Sequence, residues 1–156
     1  MLRNDPEKVN DMSSMPCIRS REIRIVQEIP ISKTLKFWEG LKEGRVYATR
    51  CTSCGKLYFP PNADCPACLK TGLEWVELSR EAEIETFTHV VVRPTTFQQN
   101  KPYTVAIGKL KEGVKVLAWL TGFKLSEIKV GMKVNLAAKV TPEGSLTYEF
   151  TPLTAK

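Results

Sequence analysis

Histidine is nearly missing from this chain: 156 residues contain one, His89. Acid–base work near neutral pH would have to rest on that residue or on a perturbed carboxylate or lysine. His89 shares one side of a strand-patterned run with Glu85 and Phe87, and the plainer reading is a barrel-edge histidine with no chemical task. The same run holds Glu81, Glu83 and Glu85 on one side, which reads as a solvated face rather than a paired acid–base site. There is no nucleophile elbow, no phosphate-cradling glycine loop and no H-E-x-x-H. Together these absences point away from an enzyme. No apolar run approaches membrane-spanning length, and the opening stretch MLRNDPEKVNDMSSM has no hydrophobic region of the signal-peptide kind. The expectation is a cytoplasmic protein with no membrane partner, in a compartment that keeps thiols reduced.

Charge of one sign is also scarce. The net charge of +6 is spread thinly: residues 31–72 carry seven basic and three acidic side chains, and residues 73–156 carry eleven and nine. A modest basic surface of this kind suits a phosphate-bearing ligand, nucleic acid or simple solubility, and does not choose among them.

Five cysteines are present, and four of them fall in one short stretch, CTSCGKLYFPPNADCPAC. Cys51, Cys54, Cys65 and Cys68 form C-x2-C-x10-C-x2-C, the spacing of a tetrahedral metal site. Two residues between paired thiolates let a tight turn aim both sulfurs at one ion. The ten-residue spacer is long enough for a short strand and a return loop. Gly55 follows the first pair, where a knuckle needs positive φ, and Pro66 stiffens the second. Four thiolates suit a structural Zn2+, with iron the alternative for an all-sulfur tetrahedron. Two disulfides are the competing reading. Cys17 lies outside the ligand spacing and reads as a plain thiol.

Around this motif the chain divides into a tail and N-terminal arm over 1–30, a helix and ribbon over 31–72, and a barrel over 73–156. In ISKTLKFWEGLKEG, Ile31, Leu35, Trp38 and Leu41 recur at helical spacing, with Ser32 placed to cap and Gly44 to terminate. Residues 69–80 read as the ribbon's exit and a hinge. From Glu81 the pattern becomes strand-like: Ala82, Ile84, Thr86, Thr88 and Val90 alternate with their neighbours. YTVAIGKL, VKVLAWL, MKVNLAAKV and SLTYEFT continue it, with a helical turn over 125–130. Five strands with a short helical element between the third and fourth predict a mainly β protein ending in an OB-fold barrel, with an SH3-like barrel second.

The order FWEGLKEG, C-x2-CG…FPP…CPAC, KPYTVAIGKL, LAWLTG, IKVGMKV and YEFTP resembles a family of small proteins that pair a rubredoxin-like zinc ribbon with an OB-fold and are associated with acyl-CoA metabolism. The resemblance runs from about Ile29 to Pro152, and all four metal positions match. It implies a non-catalytic accessory or scaffold subunit. Its partners would be a thiolase-type enzyme, acetoacetyl-CoA thiolase or HMG-CoA synthase among them, and acyl-CoA itself. Phe37, Trp38, Arg93, Phe97, Lys101, Tyr103 and Trp119 are expected to border an acyl-CoA channel or the partner interface, on their chemistry and position. The alternative is a single-stranded nucleic-acid binding module, for which one Tyr and one Trp amid aliphatic residues make a thin stacking surface. A third reading is an independent acyl-CoA hydrolase or transferase.

Overall fold

A computed structural model describes residues 30–93, 101–141 and 144–153. Helix α1 spans Leu35–Lys42 and is entered through a one-turn 3-10 segment at Ser32–Thr34. Ser32 lies inside that segment instead of capping it, and no side chain caps either start. Gly44, at φ 77°, ends the helix as expected. Its N–H donates to Leu41 O at 3.2 Å, and Arg45 N–H reaches back to Gly40 O at 2.7 Å, the paired bonds of a Schellman ending.

The buried face of α1 differs from the one the large apolar residues predict. Phe37, Gly40 and Leu41 are buried, whereas Ile31 and Leu35 are exposed and Trp38 is half-buried. Gly40 explains the rotation. A Cβ there would sit 2.5 Å from Tyr47 Cδ2, so the glycine admits the tyrosine ring against the helix backbone. A pattern that counts only large side chains cannot register such a position.

Strand β1 (Tyr47–Cys51) is the centre of a three-stranded antiparallel sheet, flanked by β2 (Leu57–Tyr58) and β3 (Leu73–Glu77). The third of these occupies the stretch predicted to be exit and hinge. Its five residues alternate too briefly for periodicity to separate strand from loop.

The remaining strands are β4 (Glu81–Val90), β5 (Tyr103–Leu110), β6 (Lys115–Leu120), β7 (Lys133–Val140) and β8 (Leu146–Thr151). They close into a barrel in the order β4-β5-β6-β8-β7, with β7 returning to β4 and with β6 and β8 parallel. A 3-10 turn at Leu125–Glu127 lies between β6 and β7. The parallel pairing of third and fifth strands, with the helical turn between third and fourth, is the OB-fold arrangement.

Ile84, Ala106, Val116, Leu120, Val134, Leu136 and Phe150 fill the barrel core. Phe150 lies directly over β5: a Cβ on Gly108 would come within 2.6 Å of its ring. In β4 the simple alternation breaks. A register shift between Ile84 and Thr86 inserts one extra residue, so Phe87 instead of Thr86 continues the inward face. Thr86 and Thr88 are exposed and Phe87 is half-buried. A bulge of this kind swaps every later side chain to the other face, which period-two counting cannot foresee.

The helix, the ribbon and the barrel share one hydrophobic core. Phe37 of α1 meets Trp38, Phe59 and Tyr148 edge to face, with ring centroids at 5.3, 6.0 and 6.3 Å. Tyr148 belongs to β8, so this cluster joins all three parts. Ser79 donates to Glu112 from its backbone N–H at 2.7 Å and from Oγ at 2.9 Å, which ties the β5–β6 turn to the chain entering the barrel.

Candidate functional site

The four cysteines are carried by two matching knuckles. In the first, Gly55 N–H donates to Cys51 O and Cys51 N–H to Lys56 O, both at 2.9 Å. In the second, Leu69 N–H donates to Cys65 O at 2.9 Å and Cys65 N–H to Lys70 O at 3.1 Å. The knuckle turn needs positive φ after its second cysteine: Gly55 has 71° and Leu69 has 56°. Leucine adopts that region at a cost of about 1–2 kcal/mol, so the turn is imposed by the surrounding fold.

All four sulfurs lie within 4.8 Å of one another, with Cys51–Cys68 and Cys54–Cys65 both at 3.6 Å. A disulfide would need about 2 Å, and the four are free thiols. A tetrahedron with metal–sulfur bonds of about 2.3 Å has its sulfurs about 3.8 Å apart. The quartet fits one metal ion. Cys51 and Cys65 are buried, while Cys54 is exposed, so each knuckle presents one inner and one outer ligand.

The electrostatics agree with that fit. The Tyr58 hydroxyl, 3.2 Å from Cys65 Sγ, brings that thiol down to about 6, and the phenol is pushed up to about 12 by the same contact. The Cys54 backbone N–H lowers Cys51. The Lys70 N–H works to lower Cys68, yet the neighbouring Cys65 sulfur and burial together raise it to about 11. Sulfurs this close cannot all lose their protons without a cation between them.

The remaining predicted residues fall into separate places. Phe37 is a core residue, only 5% exposed, and Trp38 is half-buried beside it. Tyr103 and Trp119 come together on the barrel. Val105 is opposite Trp119, and Tyr103 two residues earlier lies diagonal to it. Their rings stack at 4.5 Å and 12°. Lys101, Tyr103 and Trp119 line an open groove of about 370 Å³ with His89, Thr121 and Phe123 among its other walls. His89 Nδ1 is 3.0 Å from Thr104 Oγ1 on the adjacent strand. Arg93 is half-buried just beyond β4, and Phe97 lies outside the described residues.

Two residues at these sites carry no sequence signal. Tyr58 is one of many aromatic residues until its hydroxyl is placed against a ligand sulfur. Glu149 is only 7% exposed and sits opposite Trp119 across the parallel β6–β8 seam. It accepts from Lys139 Nζ at 2.9 Å and from Thr121 Oγ1 at 3.0 Å. Its strand reads as alternating, with Phe150 inward, and alternation makes no provision for a buried carboxylate.

Two family models match in the same order as the folded modules. Residues 38–74 match the ChsH2 rubredoxin-like zinc ribbon domain, and residues 75–139 match the ChsH2 C-terminal OB-fold domain. The chain belongs to the ChsH2 family. A DUF35 domain-containing scaffold protein of Methanocaldococcus jannaschii is 32% identical over 127 residues, covering 76% of this chain and 90% of the relative. The benzoylsuccinyl-CoA thiolase subunit BbsA of Thauera aromatica is 32% identical over 73 residues, 47% of this chain and 49% of that subunit. Among solved structures, an Ltp2-ChsH2(DUF35) aldolase chain superposes with a TM-score of 0.66 at 26% identity, covering 81% of this chain and 98% of that one. Among the described residues, no helix is long and apolar enough to cross a membrane.

Proposed function

We propose that this ChsH2-family protein is a non-catalytic accessory subunit that holds a thiolase-type enzyme and contacts its acyl-CoA thioester. The observation that carries the reading is the match of ribbon and barrel together to a relative of similar length described as a scaffold protein. The thiolase-subunit relative supports a partner that works on a CoA thioester, and the aldolase chain supports an enzyme as the partner. Acetoacetyl-CoA thiolase and HMG-CoA synthase are the partners we favour, with the thioester intermediate passed between them in early isoprenoid (mevalonate) metabolism.

The chemistry of the sites is consistent with that role. With Cys51, Cys54, Cys65 and Cys68 all engaged, a tetrahedral ion has no open position for water or substrate, so it acts on the fold. Zinc is the ion we assign, because it takes four thiolates without redox change. The barrel groove offers what a CoA ester requires: the Lys101 ammonium for phosphate, and the Tyr103–Trp119 stack with Phe123 for an apolar arm. Trp38 is assigned to the partner surface, with Phe37 holding it edge-on from beneath.

A non-hydrolysable acyl-CoA analogue titrated by calorimetry tests the groove. Trp119→Ala is expected to weaken binding by at least about tenfold, as loss of a stacking aromatic does. Trp38→Ala should leave analogue binding intact and weaken partner binding. Unchanged analogue and partner binding in the two variants would remove the assignment. Single-stranded nucleic acid is the other class of ligand, and its affinity would fall steeply with salt as counterions are released. The observed stack argues against it, since Tyr103 and Trp119 spend one face each on one another instead of on bases.

A further inference from the structure

The metal centre is symmetric in its backbone and asymmetric in its side chains. Cys51 and Cys65 occupy equivalent positions in their knuckles: each accepts from the residue after the second cysteine, and each donates to the lysine that follows. Both are buried. Among the described residues the hydroxyl contact to ligand sulfur falls on Cys65 alone, from Tyr58 at 3.2 Å. Tyr58 is the last residue of β2, paired with Thr49 of β1, so the sheet itself fixes where its ring stands. Thr49 is buried in turn, and its Oγ1 accepts from Asn62 N–H at 3.0 Å, which holds the loop running on to the second knuckle. The apolar demand of this corner is met by the adjacent Phe59, which packs on Phe37 and Tyr148. A phenylalanine at position 58 would supply the same ring, so the hydroxyl needs a separate reason.

We infer that Tyr58 is a positioning residue of the metal centre, whose hydroxyl donates a hydrogen bond to the Cys65 thiolate and makes that sulfur the most firmly held of the four ligands. The direction of the bond follows from the ion. A metal-bound sulfur carries no proton, so the hydroxyl must be the donor. Donation draws charge from the sulfur lone pairs, which lowers its reactivity toward protons and electrophiles and shifts the balance of metal–sulfur bonding. Cys54, exposed and without such a contact among the described residues, is then the ligand through which exchange begins.

The inference rests on the metal reading of the cysteine quartet, and the test separates the two. The full chain is loaded with Co2+, whose thiolate-to-metal charge-transfer band reports on the sulfurs. One tetrahedral Co2+ per wild-type chain supports the metal reading, and its failure would sink that reading whatever Tyr58 does. Tyr58→Phe is then expected to move the band to lower energy, and to weaken metal retention against a competing chelator by about tenfold, the low end for an outer-sphere hydrogen bond. Should Tyr58→Phe fail to hold metal, biosynthetic 3-fluorotyrosine provides the second measurement on an otherwise native chain. Its more acidic phenol is a stronger donor and should shift the band to higher energy. Of the other tyrosines, Tyr47 accepts from Arg45, Tyr103 stacks on Trp119 and Tyr148 packs on Phe37 and Phe59, so the cobalt band reads position 58. A band that stays in place in both the fluorinated protein and the phenylalanine variant would overturn the inference.

Discussion

Cys65→Ser is expected to abolish stoichiometric metal binding and to melt the ribbon while the barrel stays folded. Structural zinc supplies on the order of 10 kcal/mol of folding free energy in finger peptides, and beside it the sheet has only short strands and its edge of the shared core. Its strands are five, two and five residues long, and its exposed second knuckle holds Leu69 in a left-handed conformation. The barrel, by contrast, is closed, and Ile84, Leu136 and Phe150 pack within it at its end of the shared core. Hydrogen exchange resolves the two. Amides of Tyr47–Cys51 and Leu73–Glu77 should lose protection in the variant, and amides of Tyr103–Leu110 and Lys133–Val140 should keep most of theirs. Protection lost equally in all four strands would mean that the ribbon and barrel unfold as one unit. Protection lost in none would mean that the metal does not hold the ribbon.

Phe37→Ala should be the most damaging change outside the cysteines, costing about 3–5 kcal/mol in urea unfolding. Its ring is 5% exposed and makes edge-to-face contacts with Trp38, Phe59 and Tyr148. Those partners come from α1, the loop after β2, and β8, so the deletion opens a cavity where three elements meet. Leu35→Ala is the matched control. Leu35 belongs to the face that helical spacing picks out, yet it is 45% exposed, and its removal should cost no more than about 0.5 kcal/mol. A larger loss at Leu35 than at Phe37 would restore the large-residue face and contradict the observed packing.

The contrast between Leu35 and Phe37 shows how far the sequence is legible. Covalent spacing reads well: C-x2-C-x10-C-x2-C places four sulfurs around one point because turns of that length have few conformations. Strand existence reads well too, and so does the OB-fold, because five amphipathic strands and a turn after the third leave few ways to close a barrel. Faces read less well. The bulge after Ile84 and the ring contact at Gly40 are each decided by one residue whose effect is tertiary. Strand β3 is hidden by its brevity. The stack of Tyr103 on Trp119 joins two residues that chemistry alone had grouped with Phe37, which the fold uses as core. The Glu149 cluster and the Tyr58 hydroxyl depend on side-chain placement across strands, about which a linear pattern carries no information.

The accessory role is tested most directly by purifying the tagged full chain from nuclease-treated native extract in moderate salt. Whatever co-purifies would be identified by mass spectrometry and assayed for thioester condensation or cleavage. The account predicts a thiolase-type enzyme in near-stoichiometric amount, with activity that follows the tagged chain through a second column. Recovery of ribosomal or polymerase components in place of an acyl-CoA enzyme, or thioester turnover by the isolated chain alone, would contradict it.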